Sequence, residues 1–530
     1  MSDSTQVLVS GGGPVGLAAA VELGQRGISC LVVEPRREVS RARPRCKTIN
    51  VRTMEHARRW GIADRIRAAA PLSAQWSKDL VFATTLSGFT LSRFSGVFGL
   101  EPEGDRFPEI GQQAGQFYLE EVLREVVDEL PSATLELGSR VTGLEQDDSG
   151  VRVTISDASS NERVVEAEYV LGCDGPRSAV RDAIGAQYTG SDAGLPNFGM
   201  VFRAPELWKL VAHGRAVQYW IVNPFAPGVM GPLDGEELWW AGFMGVDRER
   251  GERDGTTLLR YAIGAETPIE VLSTDPWVAT MQRANVNQRG RVFLAGDASH
   301  LNPPFGGHGL NTGIGDAVDL GWKLAAVLDG WGGLALLDSY DAERRPVHAK
   351  VIEEALANMG VLPTELMNPD NAVEGPAGDA ARAKADAKIQ ETKRREFHAV
   401  DFVLNLGYGD SPIVVPDERP DAGSGARPGF RLPHAYLKSG ASIFDELGTG
   451  MTLLALSGEP APDWEAACRD RGVPLSVLDL SAEAVGDHYG AEFVLVRPDQ
   501  HVAWCGDVLP QAVDNAIDVV RGAARQKETV

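Results

Sequence analysis

The feature that most constrains the fold is a glycine-rich turn near the start of the chain. An apolar run is followed at once by Gly11, Gly13 and Gly16 at the spacing G-x-G-x-x-G, and apolar residues then recur at helical spacing. The first glycine permits a tight turn, the second lets the backbone approach a pyrophosphate, and the third lets the helix pack on the strand. Pro14 lies within the same candidate site. Strand, turn and helix together predict a dinucleotide-binding α/β unit.

The second predicted strand ends in an acidic residue. Residues 30–33 are apolar and Glu34 follows, about twenty positions after the glycines. A carboxylate at this place accepts a hydrogen bond from an adenosine ribose hydroxyl and disfavours a 2′-phosphate. NADP is therefore not expected as the dinucleotide bound here.

A second glycine-rich loop lies late in the chain, over residues 296–313. An apolar run precedes it and a helical pattern follows it, which predicts strand, loop and helix. Glycine and proline leave little side chain in the way, so the backbone can approach a flat ligand closely. The start of the helix offers free N–H groups to an electron-rich edge of that ligand.

Three segments together make the sequence similar to a known family. Residues 44–55 read P-R-C-K-T-I-N-V-R-T-M-E, residues 173–181 read C-D-G-P-R-S-A-V-R, and residues 296–313 read G-D-A-S-H-L-N-P-P-F-G-G-H-G-L-N-T-G. They resemble the single-component, FAD-dependent aromatic hydroxylases, in the branch that contains phenol hydroxylase and enzymes that modify aromatic polyketides. The resemblance is strong over about residues 5–350 and weaker in the C-terminal part.

The resemblance implies bound FAD and assigns residues to it. Besides the fingerprint glycines, Pro14 and Glu34, the residues that match the family pattern are Arg45, Arg52, Gln116, Asp174, Asp297, Pro303, Gly307, Leu310 and Asn311. In the family, Asp297 would accept from the ribityl chain, Pro303 would lie against the flavin, and N–H groups near Leu310 and Asn311 would face its N1–C2=O edge. NADH or NADPH has no second nucleotide motif here, so it is expected to bind transiently and reduce the flavin. No metal is expected.

The expected fold class is α/β, with a Rossmann-type FAD-binding domain interleaved with a β-sheet substrate domain and a C-terminal thioredoxin-like domain. The predicted FAD-binding domain comprises residues 1–75, 101–185 and 286–360, and the substrate domain residues 76–100 and 186–285. Residues 361–427 are predicted to be a connector with a helix, and residues 428–530 the thioredoxin-like domain. Because the latter has no C-x-x-C, a packing or oligomerisation role is expected for it.

Aromatic residues in alternating apolar runs predict a sheet with one face turned to a cavity. Such a wall suits an aromatic substrate, and its candidate contacts are Tyr219, Trp240 and Phe305. A base that activates a phenol is not required, but His308, Tyr219 and Tyr408 are candidates for one. For each of these side chains, an ordinary packed or solvated residue is the favoured interpretation.

The net charge of −23 argues against nucleic acid or an anionic membrane as a partner. No apolar run is long enough to span a bilayer. The five cysteines form no C-x-x-C pair, which fits a reducing compartment. A cytoplasmic protein is therefore expected, and a homodimer stays open.

The resemblance implies the following reaction. NAD(P)H reduces FAD, O2 adds at the flavin C4a position, and the hydroperoxide transfers one oxygen to a phenolic or polycyclic aromatic substrate. One alternative is Baeyer–Villiger or decarboxylating oxygenation of an aromatic natural product, because residues 202–207, F-R-A-P-E-L, look like a segment of such enzymes. Another is a flavin-binding protein without oxygenase activity.

Overall fold

A computed structural model describes residues 4–42, 47–359, 366–416, 419, 425–458, 461–483, 485–510 and 512–524. It contains two eight-stranded sheets, a four-stranded sheet and a two-stranded ribbon. None of its helices, over these residues, combines the length and apolar character needed to cross a bilayer.

The first sheet has a parallel centre and carries the fingerprint turn. Its strands are β1 (Ser4–Ser10), β2 (Cys30–Glu34), β7 (Ala133–Leu137), β8 (Ser139–Gln146), β9 (Val151–Asp157), β10 (Glu162–Gly172), β16 (Gln288–Arg289) and β17 (Val292–Leu294). The run β17-β10-β1-β2-β7 is parallel, β16 adds to β17, and the β8–β9 hairpin adds to β10. Val7, Leu8 and Val9 of β1 are fully buried, as expected for a central strand covered on both faces.

Helices cover one face of this sheet and build its main core. They are α1 (Pro14–Gly24), α2 (Val51–Arg59), α3 (Ala63–Ala69), α4 (Gln116–Glu129), α7 (His308–Leu328) and α8 (Ala335–Met359). The core joins side chains of these elements to those of β1 and β2. The β8–β9 hairpin and the short α5 (Ala179–Ala183) pack on the other face. A ribbon of β3 (Thr48–Ile49) and β6 (Gln112–Gln113) borders the sheet.

The second sheet is mixed and stands between two layers. Its strands are β4 (Leu80–Ala83), β5 (Thr90–Phe94), β11 (Tyr188–Arg203), β12 (Gln218–Ile221), β13 (Gly228–Pro232), β14 (Leu238–Met244), β15 (Glu270–Ala284) and β18 (His300–Leu301), in the order β18-β15-β11-β14-β13-β12-β4-β5. One face packs against α6 (Arg248–Ile263). The other face packs against α9 (Pro376–Phe397), so the predicted connector carries a helix that covers the sheet.

The C-terminal unit has its own four-stranded sheet. Its strands are β19 (Met451–Ala455), β20 (Leu475–Asp479), β21 (Phe493–Val496) and β22 (Val502–Gly506), and its helices are α11 (Pro462–Asp470), α12 (Gly486–Tyr489) and α13 (Val513–Val520). The order β20-β19-β21-β22, with β20 parallel and β21 antiparallel to β19, is a thioredoxin-like arrangement. The short α10 (Val400–Leu404) precedes this unit. The expected fold class is confirmed; the exact domain boundaries stay a prediction.

Trp322 and Trp331, from the α7–α8 region, belong to the same apolar cluster as Trp464 and Trp504 of the C-terminal unit. Arg497, fully buried after β21, forms ion pairs with Asp319 of α7 and Glu343 of α8, at 3.0 and 2.6 Å. The C-terminal unit is thus joined to the helix that begins at the late glycine-rich loop.

Candidate functional site

The fingerprint turn has the backbone geometry that a phosphate needs. Gly11 has φ +103°, and a Cβ atom there would lie 2.4 Å from the carbonyl oxygen of Cys173. A Cβ on Gly16 would lie 1.9 Å from the carbonyl oxygen of Gly11. Around Gly13, by contrast, a Cβ would meet no heavy atom within 4 Å, so this position faces open space. Pro14 starts α1, whose first N–H groups no side chain caps. The turn therefore leaves donors open to an anion.

The Glu34 carboxylate is buried and held in place at the end of β2. Its Oε2 accepts from Gly12 N at 2.8 Å, and its Oε1 accepts from the Nε of Arg36 at 2.7 Å. A carboxylate oxygen accepts more than one hydrogen bond, so a ribose hydroxyl can be added to these.

Asp174 lies directly beside the fingerprint turn. A Cβ on Gly11 would come within 2.9 Å of its Cα. One carboxyl oxygen caps α5 by accepting from Ala179 N at 2.8 Å and Val180 N at 3.2 Å. The other, Oδ1, is buried and has no hydrogen-bond partner among the described residues. Burial raises the pKa of this carboxyl. An orphaned acceptor here fits a cofactor hydroxyl.

The late loop packs against the same turn. A Cβ on Gly296 or on Gly313 would come within 2.9 or 2.6 Å of Val15 Cγ2, so both glycines allow the close approach of α7 to α1. Asp297 is exposed at this place, and its carbonyl oxygen accepts from the hydroxyl of Tyr188. The structure thereby brings together the fingerprint, Asp174 and the loop, which are far apart in sequence.

The start of α7 is uncapped and is held by one side chain. Gly307, at φ +69°, is the N-cap and makes no side-chain cap. Asn311 accepts from Asn50 N at 3.0 Å and Thr53 Oγ1 at 2.8 Å, and it donates to the carbonyl oxygens of Thr48 at 3.0 Å and Gly307 at 2.8 Å. Its side chain is thus a clamp between α7 and the β3–α2 segment. No side chain of the described residues caps the start of α7, and a contact of its backbone N–H groups with the flavin stays a prediction.

The remaining predicted cofactor residues are placed as follows. Pro303 is buried, Leu310 is half-buried at the start of α7, and Gln116 is half-buried at the start of α4. Arg52 donates to Gln500 Oε1 at 2.7 Å and to the carbonyl oxygen of Asp499 at 2.6 Å, so it engages the C-terminal unit. Arg45 lies outside the described residues.

One face of the second sheet forms an aromatic wall next to the loop. The ring centroids of Trp220 and Phe305 are 6.3 Å apart. The strand register places Trp240 on the same face as Trp220. Lys393 and Phe397 of α9 cover the wall, with Lys393 Nζ 5.2 Å from the Trp220 ring centroid. Trp240 and Phe305 thus both lie at this wall, and their role as substrate contacts stays a prediction.

Tyr219 faces the other way. It is fully buried in the core on the α6 side, and its hydroxyl donates to the Gly214 carbonyl at 2.6 Å and accepts from Ala216 N at 3.0 Å. Burial raises its pKa. This placement argues against the catalytic and substrate-binding roles expected of Tyr219. Its neighbour Trp220, which the sequence does not mark as a candidate, lies on the opposite face of β12 and forms part of the wall.

His308 and Tyr408 line a cavity of about 60 Å³ behind the start of α7. Burial lowers the pKa of His308 to about 4, so its imidazole is neutral at neutral pH, and its Nε2 has no partner among the described residues. The Tyr408 hydroxyl accepts from Arg344 Nη1 at 3.0 Å, and burial raises its pKa. Tyr408 belongs to the junction with the C-terminal unit rather than to the aromatic wall.

A cluster around Asp316 supports the loop and was not expected from the sequence. Asp316 accepts from Arg344 Nε at 2.7 Å, His348 Nε2 at 2.8 Å and Gly296 N at 3.0 Å. Burial by itself raises its pKa, but His348 and Arg344 hold that pKa well below its usual value. His300, Asp316 and His348 have the composition of a metal site, yet the adjacent Arg344 cation opposes a second cation there. Through the hydrogen bond from Gly296 N to Asp316, the cluster holds the start of the loop in place.

Comparison with known proteins agrees with this geometry. A family model described as an FAD binding domain matches residues 4–355, and one described as the C-terminal part of aromatic-ring hydroxylases matches residues 425–524. The chain belongs to the FAD-dependent aromatic-ring hydroxylases. It is 32% identical to tetracenomycin A2 monooxygenase-dioxygenase of Streptomyces glaucescens, over 96% of this chain and 95% of that protein. It is 32% identical to aklavinone 12-hydroxylase RdmE of Streptomyces purpurascens, over 98% of each chain.

Solved structures of such hydroxylases share the whole fold. The rebeccamycin biosynthetic enzyme RebC with reduced flavin superposes with a TM-score of 0.91 at 37% identity, covering 98% of this chain and 99% of that one. The flavin-dependent monooxygenase PieE, in complex with FAD and substrate, has a TM-score of 0.89 at 29% identity over 98% and 99% of the two chains. The protein is thus an FAD-dependent monooxygenase of aromatic compounds, and O2 and a reduced pyridine nucleotide are its co-substrates.

The residues present fit FAD. The open backbone at Gly13 and the free N–H groups of α1 suit the pyrophosphate, and the orphaned Asp174 Oδ1 suits a hydroxyl. When bound, FAD supplies the electron transfer and the oxygen activation. The chain supplies orientation and the exclusion of water. Its aromatic wall is apolar, and α9 packs on that wall and covers it from solvent.

Proposed function

We propose that this hydroxylase acts on a polycyclic aromatic compound that carries phenolic groups. The observation that carries the proposal is the aromatic wall of Trp220, Trp240 and Phe305 beside the start of α7. Trp220 and Phe305 are nearly fully buried beneath α9, so the apolar and aromatic character of this face, rather than exposed ring area, is what suits a multi-ring compound. Relatives named for their action on tetracenomycin A2 and aklavinone support a multi-ring substrate.

The proposed FAD site consists of the residues that the three motifs bring together. Gly11, Gly13, Pro14 and Gly16 would receive the pyrophosphate and Glu34 the adenosine ribose, with Asp174, Asp297, Pro303 and the start of α7 around the flavin portion. Arg52 and Gln116 remain candidates at its border. NADH or NADPH would bind only transiently, since the one fingerprint is used by FAD.

Turnover by the purified protein tests this function. We expect a yellow protein whose NAD(P)H oxidation accelerates when a multi-ring phenol is added, and mass spectrometry should find a product heavier by one oxygen atom. Hydroxyanthraquinones and naphthols are suitable first compounds, with unsubstituted anthraquinone as the matched negative. A protein that binds no flavin, or whose NAD(P)H oxidation no aromatic compound accelerates, would refute the proposal.

A second candidate function is oxygenation that cleaves a carbon–carbon bond, either by Baeyer–Villiger insertion or with loss of a carboxyl group. One solved structure at TM-score 0.91 and 36% identity is chromopyrrolic acid-soaked RebC with bound 7-carboxy-K252c, a carboxylated ligand. The same mass-spectrometric assay identifies decarboxylation by the loss of carbon dioxide. A Baeyer–Villiger product has the mass of a hydroxylated one, but it is an ester or lactone, so alkaline hydrolysis adds one water molecule to it and none to a phenol.

We also propose a cytoplasmic homodimer. Phe225 and Tyr261 are exposed and stack on each other at 5.3 Å between ring centroids, an apolar surface that a second copy could cover. Light scattering coupled to size exclusion measures the mass directly, and Phe225→Ser should shift it to the monomer. A monomeric wild-type protein would contradict this part of the proposal.

A further inference from the structure

Lys47 is a buried lysine without an acidic partner in the described part of the chain. It is 6% exposed, and its Nζ donates to the carbonyl oxygen of Val217 at 2.6 Å. Burial alone lowers its pKa to about 7. An ammonium has three N–H donors, so one acceptor leaves most of its hydrogen-bonding capacity unused. A buried ammonium with only one acceptor and no acidic partner destabilises the fold. Residues of this kind cluster at functional sites.

A second unpaired donor lies beside this lysine. The indole Nε1 of Trp240 is buried and has no hydrogen-bond partner among the described residues. A Cβ built on Gly231 would come within 3.2 Å of Trp240 Nε1 and 3.3 Å of Lys47 Nζ. The two donors therefore converge beside Gly231, together with the carbonyl oxygen of Val217, which a Cβ on Gly231 would approach to 2.8 Å; only a glycine fits at this position.

This pair lies between the start of α7 and the aromatic wall. Lys47 immediately precedes β3, whose Thr48 carbonyl accepts from Asn311 of α7 at 3.0 Å. Its side chain ends at Val217, next to β12, the strand that carries Trp220. Lys47 thus spans from the proposed flavin edge to the proposed substrate surface.

We propose that Lys47 and Trp240 form a subsite for an anionic oxygen of the aromatic substrate, either a phenolate or a carboxylate. This inference rests on the proposed function and specifies its substrate class. A phenolate oxygen would satisfy both donors and compensate the buried charge. It would also make the ring more electron-rich, which favours attack by an electrophilic oxygen. A carboxylate would be bound by the same donors and would only orient the ring.

Equilibrium dialysis with matched naphthalenes tests the subsite without turnover. The pairs are 2-naphthoate with 2-naphthamide, and 2,4-dinitro-1-naphthol with its methyl ether, at about pH 6, where Lys47 is charged and both acidic compounds are ionised. Wild type should bind at least one acidic member at least tenfold more tightly than its neutral counterpart, and the pair that shows this preference identifies the source of the anion. Lys47→Met should remove the preference, and Trp240→Phe should weaken it several-fold. Lys209→Met, at an exposed lysine paired with Glu206, should leave it unchanged.

Two results would overturn the subsite. One is a wild-type protein that binds the acidic members no more tightly than the neutral ones. The other is a Lys47→Met protein that keeps the preference while its FAD content falls, because the lysine would then serve the cofactor. Since dialysis needs no product formation, the subsite can be established when hydroxylation fails, and hydroxylation can be found when the subsite fails.

Discussion

Asp174 illustrates how a single atom ties the fold to the cofactor. Its carboxyl uses one oxygen to cap α5 and leaves the other buried and unpaired. A native protein rarely tolerates such an acceptor without a ligand or a water molecule. One oxygen of Asp174 therefore caps α5, while the other is available to the cofactor. A substitution that keeps the capping oxygen can test cofactor binding alone.

We expect Asp174→Asn to weaken FAD binding at least tenfold, which corresponds to about 1.4 kcal/mol. The amide oxygen can still cap α5, so unfolding of the flavin-free protein should change little. Flavin fluorescence during titration of the apoprotein gives the dissociation constant. Asp182→Asn, on the same helix with an exposed side chain, is the control and should bind FAD like wild type. Unchanged affinity in Asp174→Asn would show that the orphaned atom is not used.

Because Lys47 is buried, we expect it to make the free energy of unfolding increase as the pH rises. Burial lowers its pKa from 10.5 to about 7, so the unfolded chain binds the proton more strongly between those values. The free-energy penalty of burying the charged amine is fully present below pH 7, and it fades as the pH rises towards 10.5. Lys47→Met should therefore stabilise the protein by of the order of 2 to 4 kcal/mol at neutral or lower pH, allowing for the lost hydrogen bond to Val217. Urea unfolding at a series of pH values checks this, and a gain that is independent of pH would contradict it.

At the scale of elements, α7 organises the site from its first turn. Asn311 clamps it to the β3–α2 segment, and Asp316, one turn further on, holds Gly296 of the loop. Through these contacts both side chains fix the backbone around the proposed flavin site. Helix, loop and ribbon therefore form one rigid frame.

Removal of the Asp316 charge should destabilise the contacts between α7, the loop and α8. Asp316→Asn leaves Arg344 as a buried cation without its carboxylate, which typically costs about 3 to 5 kcal/mol. Chemical denaturation measures the loss, and FAD should dissociate at lower denaturant concentration than from wild type. Asp338→Asn, at an exposed position of α8, should cost less than about 0.5 kcal/mol. Equal stability of the two variants would exclude the supporting role of Asp316.

The parts of the site that the sequence predicts are those encoded by short local patterns. The fingerprint glycines, Glu34 and Asp174 follow strands directly, so their position needs no knowledge of the tertiary structure. Tyr219 and Trp220 show the opposite case, because a shift of one residue along a strand exchanges the two faces of the sheet. The burial of Lys47 depends on tertiary packing, which no local pattern encodes. The partners of Asp316 come from distant segments of the chain, so the sequence does not predict its supporting role.

At the scale of the molecule, the C-terminal unit is joined to the cofactor domain by a buried charge network. Arg497 pairs with Asp319, Glu343 and Asp499, and Lys323 pairs with the first two of these. Burial opposes ionisation of Glu343, but Arg497 and Lys323 lower its pKa. The unit lacks a redox motif, and this contact gives it the packing role that the sequence suggested.

Arg497→Met should uncouple the two parts. Asp319 and Glu343 would then share Lys323, and Asp499 would be left beside His501, so the pKa values of these buried carboxyls should rise above those in the unfolded chain. The loss of stability is expected to exceed about 3 kcal/mol at pH 8 and to shrink towards pH 5, as protonation removes the unpaired charge. Arg471→Met, which affects the partly exposed pairs with Asp514 and Asp518, should cost far less at either pH. A loss that does not vary with pH would argue against the charge network.

The order of strands in the first sheet also bears on how the chain is made. β1 precedes the other described strands along the chain and lies between β2 and β10, and β10 in turn pairs with β17 near residue 294. On the ribosome the apolar β1 must wait until residues 162–172 have emerged before its second neighbour exists. The flavin frame closes later still, when α7 packs on Val15. Nascent chains that end before residue 328 should therefore expose apolar strand edges, bind chaperones and retain no flavin.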